Sequence, residues 1–263
     1  MAAAQPAPVP NVVSLAPGLT EIIFALGQGG RLLAVTAFCD YPPEARRLEA
    51  IGGLLDLNLE KIIALNPELV VAYPEHGERL RLLPPAIRVV EVPHRTLADI
   101  FASIEAIAGA LGVSRQGSEL VGAIRSRLEE IRVSCRRKRP QKFLLVADRN
   151  PVQLASMWLV GRGDFFDELL RLAGAVNAYD GALAYPQVSV EAAIALQPAA
   201  IIELSSAYEQ IGDGAIIDFW SRFPFIRAVK EGRIEIVREN FWLRPGPRLA
   251  EIAARLCALA RKS

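Results

Sequence analysis

Only two histidines, His76 and His94, and three cysteines, Cys39, Cys135 and Cys257, occur in 263 residues. Two imidazoles are too few for a three-histidine metal centre, although a mixed site with carboxylates stays open. Three thiols allow at most one disulfide within the chain, and the sequence does not require it. No apolar run reaches the length needed to span a bilayer. Charge of one sign is also missing: 30 Lys and Arg face 29 Asp and Glu, for a net charge of +1. That balance leaves no electrostatic footprint for nucleic acid. The one basic run, CRRKRPQK from Cys135 to Lys142, reads as a helix C-terminus whose cations suit the dipole. Signature motifs of catalysis are absent as well. VSLAPG offers one glycine where a dinucleotide fold needs several, and there is no P-loop and no GxSxG elbow. No acid, base or nucleophile stands out for turnover, so an enzyme is not expected.

What is present is an ordinary globular composition, 52% hydrophobic and 22% charged, in a chain long enough for one large or two modest domains. The start, MAAAQPAPVPNVV, has no hydrophobic signal core and reads as an Ala/Pro-rich leader remnant with an added Met, although a cytosolic protein with a floppy terminus would look the same. Past it the chain repeats itself. NLEKIIALNPELVVAY from Asn58 returns as SVEAAIALQPAAIIEL from Ser189. Each copy opens on a good helix cap, carries a glutamate in the first turn (Glu60, Glu191), stops at proline and continues as a β-branched run. VSLAPGLTEIIFALG is echoed by VGRGDFFDELLRLAG, and RVVEV by RIEIV, in the same order. The expectation is an α/β protein of two similar Rossmann-like lobes with mainly parallel sheets, residues 12–112 and 139–263. Between them residues 113–138 carry Leu120, Ile124, Leu128 and Ile131 at helical spacing, and are expected to form one long backbone helix with a ligand cleft between the lobes.

Aromatic residues make up only 7% of the chain, yet many fall in loops after strands: Phe38, Tyr41, Tyr73, Trp158, Tyr185, Phe241 and Trp242. Ligands of open α/β sheets bind beyond the carboxyl ends of strands, and flat rings suit a large, flat, partly apolar ligand. Arg244 is a candidate polar clamp, with Asn240 beside it. His94 follows RVVEV directly and is a possible axial ligand to a metal held in a macrocycle; no metal bound by the protein alone is expected.

SLAPGLTEI, the DYPPEA loop, NLEKIIALNPELVVA, the lone connecting helix, YPQVS and FWLRPGPR together resemble the periplasmic substrate-binding proteins of the helical-backbone class. Within that class they most resemble the vitamin B12-binding proteins of cobalamin ABC importers. The likeness runs from Val12 to Leu259. It implies ligand contacts at Tyr41, Tyr73, Trp158, Leu159, Tyr185, Asn240 and Arg244, no intrinsic cofactor, and cobalamin or another corrinoid as the bound ligand. It also implies a periplasmic monomer that docks through Glu60 and Glu191 on an importer permease dimer with its ATPase subunits. Leu54, Tyr73 and Tyr185 stand where those proteins carry tryptophan, and Asn240 where they carry Asp. Ala173 stands where a cysteine would pair with Cys257, so that disulfide is expected to be absent. Heme or a ferric siderophore stays open as the ligand, and a soluble α/β enzyme is the remaining alternative.

Overall fold

The computed structural model describes residues 10–53, 56–149, 156–204 and 212–261. They form two compact units, one of residues 1–125 with 245–247 and one of residues 126–244 with 248–263. Leu54 and residues 1–9 lie outside the described residues.

The first unit contains strands β1 (Val12–Ser14), β2 (Leu32–Val35), β3 (Glu49–Ala50), β4 (Leu69–Ala72) and β5 (Arg88–Glu91). Its helices are α1 (Pro17–Ala25), α2 (Leu59–Leu65), α3 (Gly77–Leu80) and α4 (Leu97–Ala110). The sheet order is β3-β2-β1-β4-β5 and every pairing is parallel. The central strands β1 and β4 are buried at each position, as strands covered on both faces must be. The order reverses direction between β1 and β4, which is the switch point where such sheets open a crevice.

Helix α5 (Ser114–Ser134) is a single element of 21 residues, about 30 Å long at 1.5 Å per residue. Its first part belongs to one unit and its last part to the other. Gly117, Val121, Ile124, Leu128 and Ile131, with Cys135 just past its end, are buried, a stripe with alternating steps of four and three. Leu120, expected on that stripe, is partly exposed, and Val121 takes its place.

The second unit holds β6 (Gln141–Arg149), β7 (Ser156–Leu159), β8 (Ala175–Asn177), β9 (Gln187–Ser189), β10 (Ala200–Leu204) and β11 (Ile234–Val237). Its helices are α6 (Phe165–Leu172), α7 (Val190–Ala195), α8 (Asp213–Ser221), α9 (Arg227–Lys230) and α10 (Leu249–Arg261). Strands β6, β10 and β11 are parallel neighbours, as β1, β4 and β5 are in the first unit, and β8 pairs parallel with the start of β6. Strands β7 and β9 depart from the expectation, which treated SMWLV and YPQVS as loops. They add an antiparallel edge alongside the second half of β6. Met157 and Leu159 are buried while Trp158 between them is exposed, the alternation of a half-buried strand, too short here to stand out in sequence.

The repeat is reproduced in backbone detail. Asn58 Oδ1 accepts from the Lys61 N–H at 2.9 Å, and Ser189 Oγ from the Ala192 N–H at 3.2 Å. Each satisfies an orphan donor of the first turn and so fixes where α2 and α7 begin. Each helix is followed by a residue with φ 45, Asn66 directly after α2 and Gln197 one residue later after α7, immediately before Pro67 and Pro198. Proline disfavours right-handed helical backbone in the residue preceding it.

Position 173 is alanine and makes no disulfide, as expected, but the one disulfide that the sequence left open does form and uses Cys257. Cys135 and Cys257 are joined, with a Cα–Cα distance of 5.8 Å, while Cys39 is buried and takes no part in a disulfide. A Cβ on Gly174 would strike the Cys135 carbonyl, so Cys135 lies beside the turn formed by Ala173 and Gly174. The partner thiol therefore comes from the end of the connecting helix instead of from position 173. Arg261 Nη2 donates to the Ser134 carbonyl at 2.7 Å, a second tie between the ends of α5 and α10.

Candidate functional site

In the first unit, Phe38 and Tyr41 follow β2, Tyr73 follows β4 and His94 follows β5. All four therefore sit past the carboxyl ends of parallel strands. Phe38 and Tyr41 are 61% and 44% exposed, and Tyr41 precedes a cis peptide to Pro42.

Tyr73 differs from them, because its ring is packed. His94 lies against it with centroids 3.9 Å apart, and its hydroxyl donates to the Pro245 carbonyl at 3.4 Å. The backbone N–H of Tyr73 donates to Nδ1 of buried His76 at 3.2 Å. Burial first, and then the carboxylates of Glu21 and Glu75, push the Tyr73 phenol up, so it stays protonated. Desolvation holds half-buried His94 below the usual imidazole range, opposed by Glu75 and Asp99; His94 Nε2 stands 3.9 Å from Glu75 Oε1. A neutral imidazole is the form that ligates metals. Gly18 of SLAPG completes this corner. A Cβ there would meet the Pro245 carbonyl and, at 2.7 Å, the Tyr73 hydroxyl. Tyr73→Phe is expected to cost only about 0.5–1.5 kcal/mol in a urea titration, since the ring stays and a long hydrogen bond is lost. Tyr73→Ala would instead open a cavity, so it is a poor test of ligand contact.

In the second unit, Trp158 pairs with Asp148 near the end of β6 and with Gln187 on β9. It is 42% exposed and Tyr185 is 47% exposed. Tyr185 precedes β9 and donates its hydroxyl to Asp164 Oδ2 at 2.8 Å. Leu159, the last residue of β7, is fully buried. Its side chain belongs to the core, and Trp158 is the outward neighbour.

Asn240, Phe241, Trp242 and Arg244 follow β11, the first three within a 3-10 turn (Asn240–Leu243). Trp242 corrects the expectation, because it is fully buried. Its ring stacks near Phe166 at 6.5 Å and lies under the Arg255 guanidinium at 5.3 Å. Phe241 is half-buried and covered by the Arg248 guanidinium at 4.4 Å. Asn240 and Arg244 are half-buried. Sequence reasoning did not single out Asp164 or Arg248. Asp164 had one available signal, its position as an N-cap before an apolar run.

Glu60 and Glu191 are exposed and occupy the second position of α2 and of α7. The Glu191 carboxyl is held low, first by its own backbone N–H and then by Ser189. Among the described residues no group of three His, Cys, Asp or Glu is placed to hold a metal ion. No helix among them is long and apolar enough to cross a membrane.

Two α/β units that share one long helix, with aromatic rings beyond the strand ends of each, define a ligand-binding protein of the helical-backbone class. The chain belongs to the periplasmic binding protein family, whose model matches residues 12–239. It is 29% identical over 258 residues to the vitamin B12-binding protein of Vibrio cholerae serotype O1, covering 97% of this chain and 90% of that one. The solved periplasmic vitamin B12-binding protein of Vibrio cholerae superposes with a TM-score of 0.81 at 27% identity, covering 96% of this chain and 97% of that one. A periplasmic heme-binding protein from Roseiflexus sp. RS-1 superposes with a TM-score of 0.80 at 26% identity, covering 95% and 98%. These relatives are named as binding proteins, and this chain, a member of the same family, is a binding protein and not an enzyme.

Proposed function

We propose that this chain is a periplasmic, monomeric carrier that captures cobalamin or a related corrinoid and delivers it to an ABC importer, a permease dimer with its ATPase subunits. The observation that carries the ligand class is a set of rings left open to solvent. Phe38 and Tyr41 after β2, Trp158 on β7 and Tyr185 just before β9 keep 61%, 44%, 42% and 47% of their surface exposed. Leaving four large rings in water forgoes about 1.5–3 kcal/mol each of burial, a loss that a flat ligand face would recover. The cobalamin-named relatives support the corrinoid over other flat ligands. Arg244 and Asn240 supply donors for amide groups on its rim.

Heme is the second reading, favoured by one feature: the neutral His94 imidazole beside Tyr73. An absorption titration with cyanocobalamin and with hemin separates the two. Saturable spectral change with cyanocobalamin alone is expected, and Trp158→Ala should weaken it by about 1–3 kcal/mol without altering the melting temperature. A Soret shift on hemin addition that disappears in His94→Ala, with no response to cyanocobalamin, would reverse the assignment.

A further inference from the structure

We propose that Asp164 is the positioning residue that fixes the ring of Tyr185 before any ligand arrives, an inference that rests on Tyr185 being a ligand contact. Asp164 is 3% exposed and caps α6. One carboxylate oxygen, Oδ1, accepts the Phe166 N–H at 2.9 Å, and the other, Oδ2, accepts the Tyr185 hydroxyl at 2.8 Å. Serine or threonine would cap the helix equally well, but each offers one short oxygen. The carboxylate does both tasks at once.

The segment that carries Tyr185 is tied down nearby as well. The Gly161 N–H donates to the Ala184 carbonyl at 2.6 Å. Buried Asn177 donates to the Val160 and Gly161 carbonyls at 2.8 and 3.1 Å, and its Oδ1 accepts the Tyr179 N–H at 3.0 Å. A Cβ on Gly161 would strike the Leu183 carbonyl, so the strand end and the segment pass at backbone contact. Only the side chain of Tyr185 then needs fixing, and Asp164 fixes it from within the core.

Two consequences follow for recognition. A ring already held in place loses no rotamer freedom on binding, which conserves affinity. The phenol proton is directed to Asp164, so Tyr185 meets the ligand with its ring and not with a donated proton or an oxygen for iron.

Three substitutions test this. Asp164→Ser keeps the cap but cannot reach the phenol. Tyr185→Phe keeps the ring but drops the bond. Asp164→Asn keeps the cap through its oxygen and can donate its amide to the Tyr185 oxygen. In the ligand-free chain, amide exchange over residues 179–186 should speed up in Asp164→Ser and Tyr185→Phe and stay near wild type in Asp164→Asn. Affinity for cyanocobalamin should fall about tenfold in the first two, with the double variant Asp164→Ser/Tyr185→Phe no weaker than either single, because both remove one interaction. Wild-type exchange in Asp164→Ser, or additive losses in the double variant, would overturn the proposal. If Asp164→Ser does not fold, Tyr185→Phe against wild type decides by the same exchange readout. If wild type does not bind cyanocobalamin, the ligand assignment fails, while the exchange measurement still decides the role of Asp164.

Discussion

Replacing Cys135 and Cys257 together with alanine is expected to lower the unfolding free energy by about 2–5 kcal/mol. The bond closes a sequence separation of 122 residues, and the chain-entropy cost removed from the unfolded state grows with loop length. Both cysteines are buried in the second unit, so the substitution leaves no exposed thiol behind. Matched guanidinium titrations of wild type, wild type with reductant, and the double variant give the measurement. Wild type with reductant should fall to the level of the variant. An unchanged midpoint in all three would mean that α10 is held without the bond, by its packing and by polar ties such as Arg261 on Ser134 and Arg255 on Glu235. A bond of this kind persists in oxidising compartments and is rare in reducing ones, which supports the proposed periplasmic setting.

The second large effect concerns delivery. Reversing Glu60 and Glu191 together to lysine is expected to abolish complex formation with the cognate importer and ligand uptake, while cyanocobalamin affinity stays unchanged. Both acids are exposed at the second position of capped helices, where a carboxylate suits the helix dipole. A lysine there opposes the dipole only weakly at an exposed site, too little to unfold the chain. Two permease subunits of similar design would each need one contact, and the repeat supplies one glutamate in each unit. Opposite charges across an interface speed encounter and fix register, so like charges at both points should be prohibitive. Uptake in cells and gel filtration with detergent-solubilised importer provide the readouts. Normal uptake by the double variant would reduce both residues to helix-start preferences.

Stretches whose structure depends on neighbouring residues were legible in the sequence. Asn58 and Ser189 start helices, Pro67 and Pro198 follow their ends, and the apolar runs after them are buried strands. Caps, dipoles and proline act over a few residues, so two copies of one local pattern gave two copies of one structure. The stripe of α5 was readable for the same reason, apart from the exchange of Leu120 for Val121. The order of such pieces pointed to two similar lobes, and the class of protein came from the family resemblance that their motifs carry.

Tertiary structure alone decided the rest. Trp242 sits in a polar-looking loop, and only the approach of Phe166 and Arg255 buries its ring. Tyr73 reads as an open strand end until His94 and the Pro245 carbonyl, 21 and 172 positions away, close on it. Strands β7 and β9 are too short to declare themselves, and their pairing is a contact between distant segments. The disulfide needs two helix ends brought within reach, and the Asp164 bond to Tyr185 spans 21 positions. Each of these depends on which surfaces meet after the chain has folded, because burial and pairing are properties of contacts and local sequence encodes only the propensity to make them.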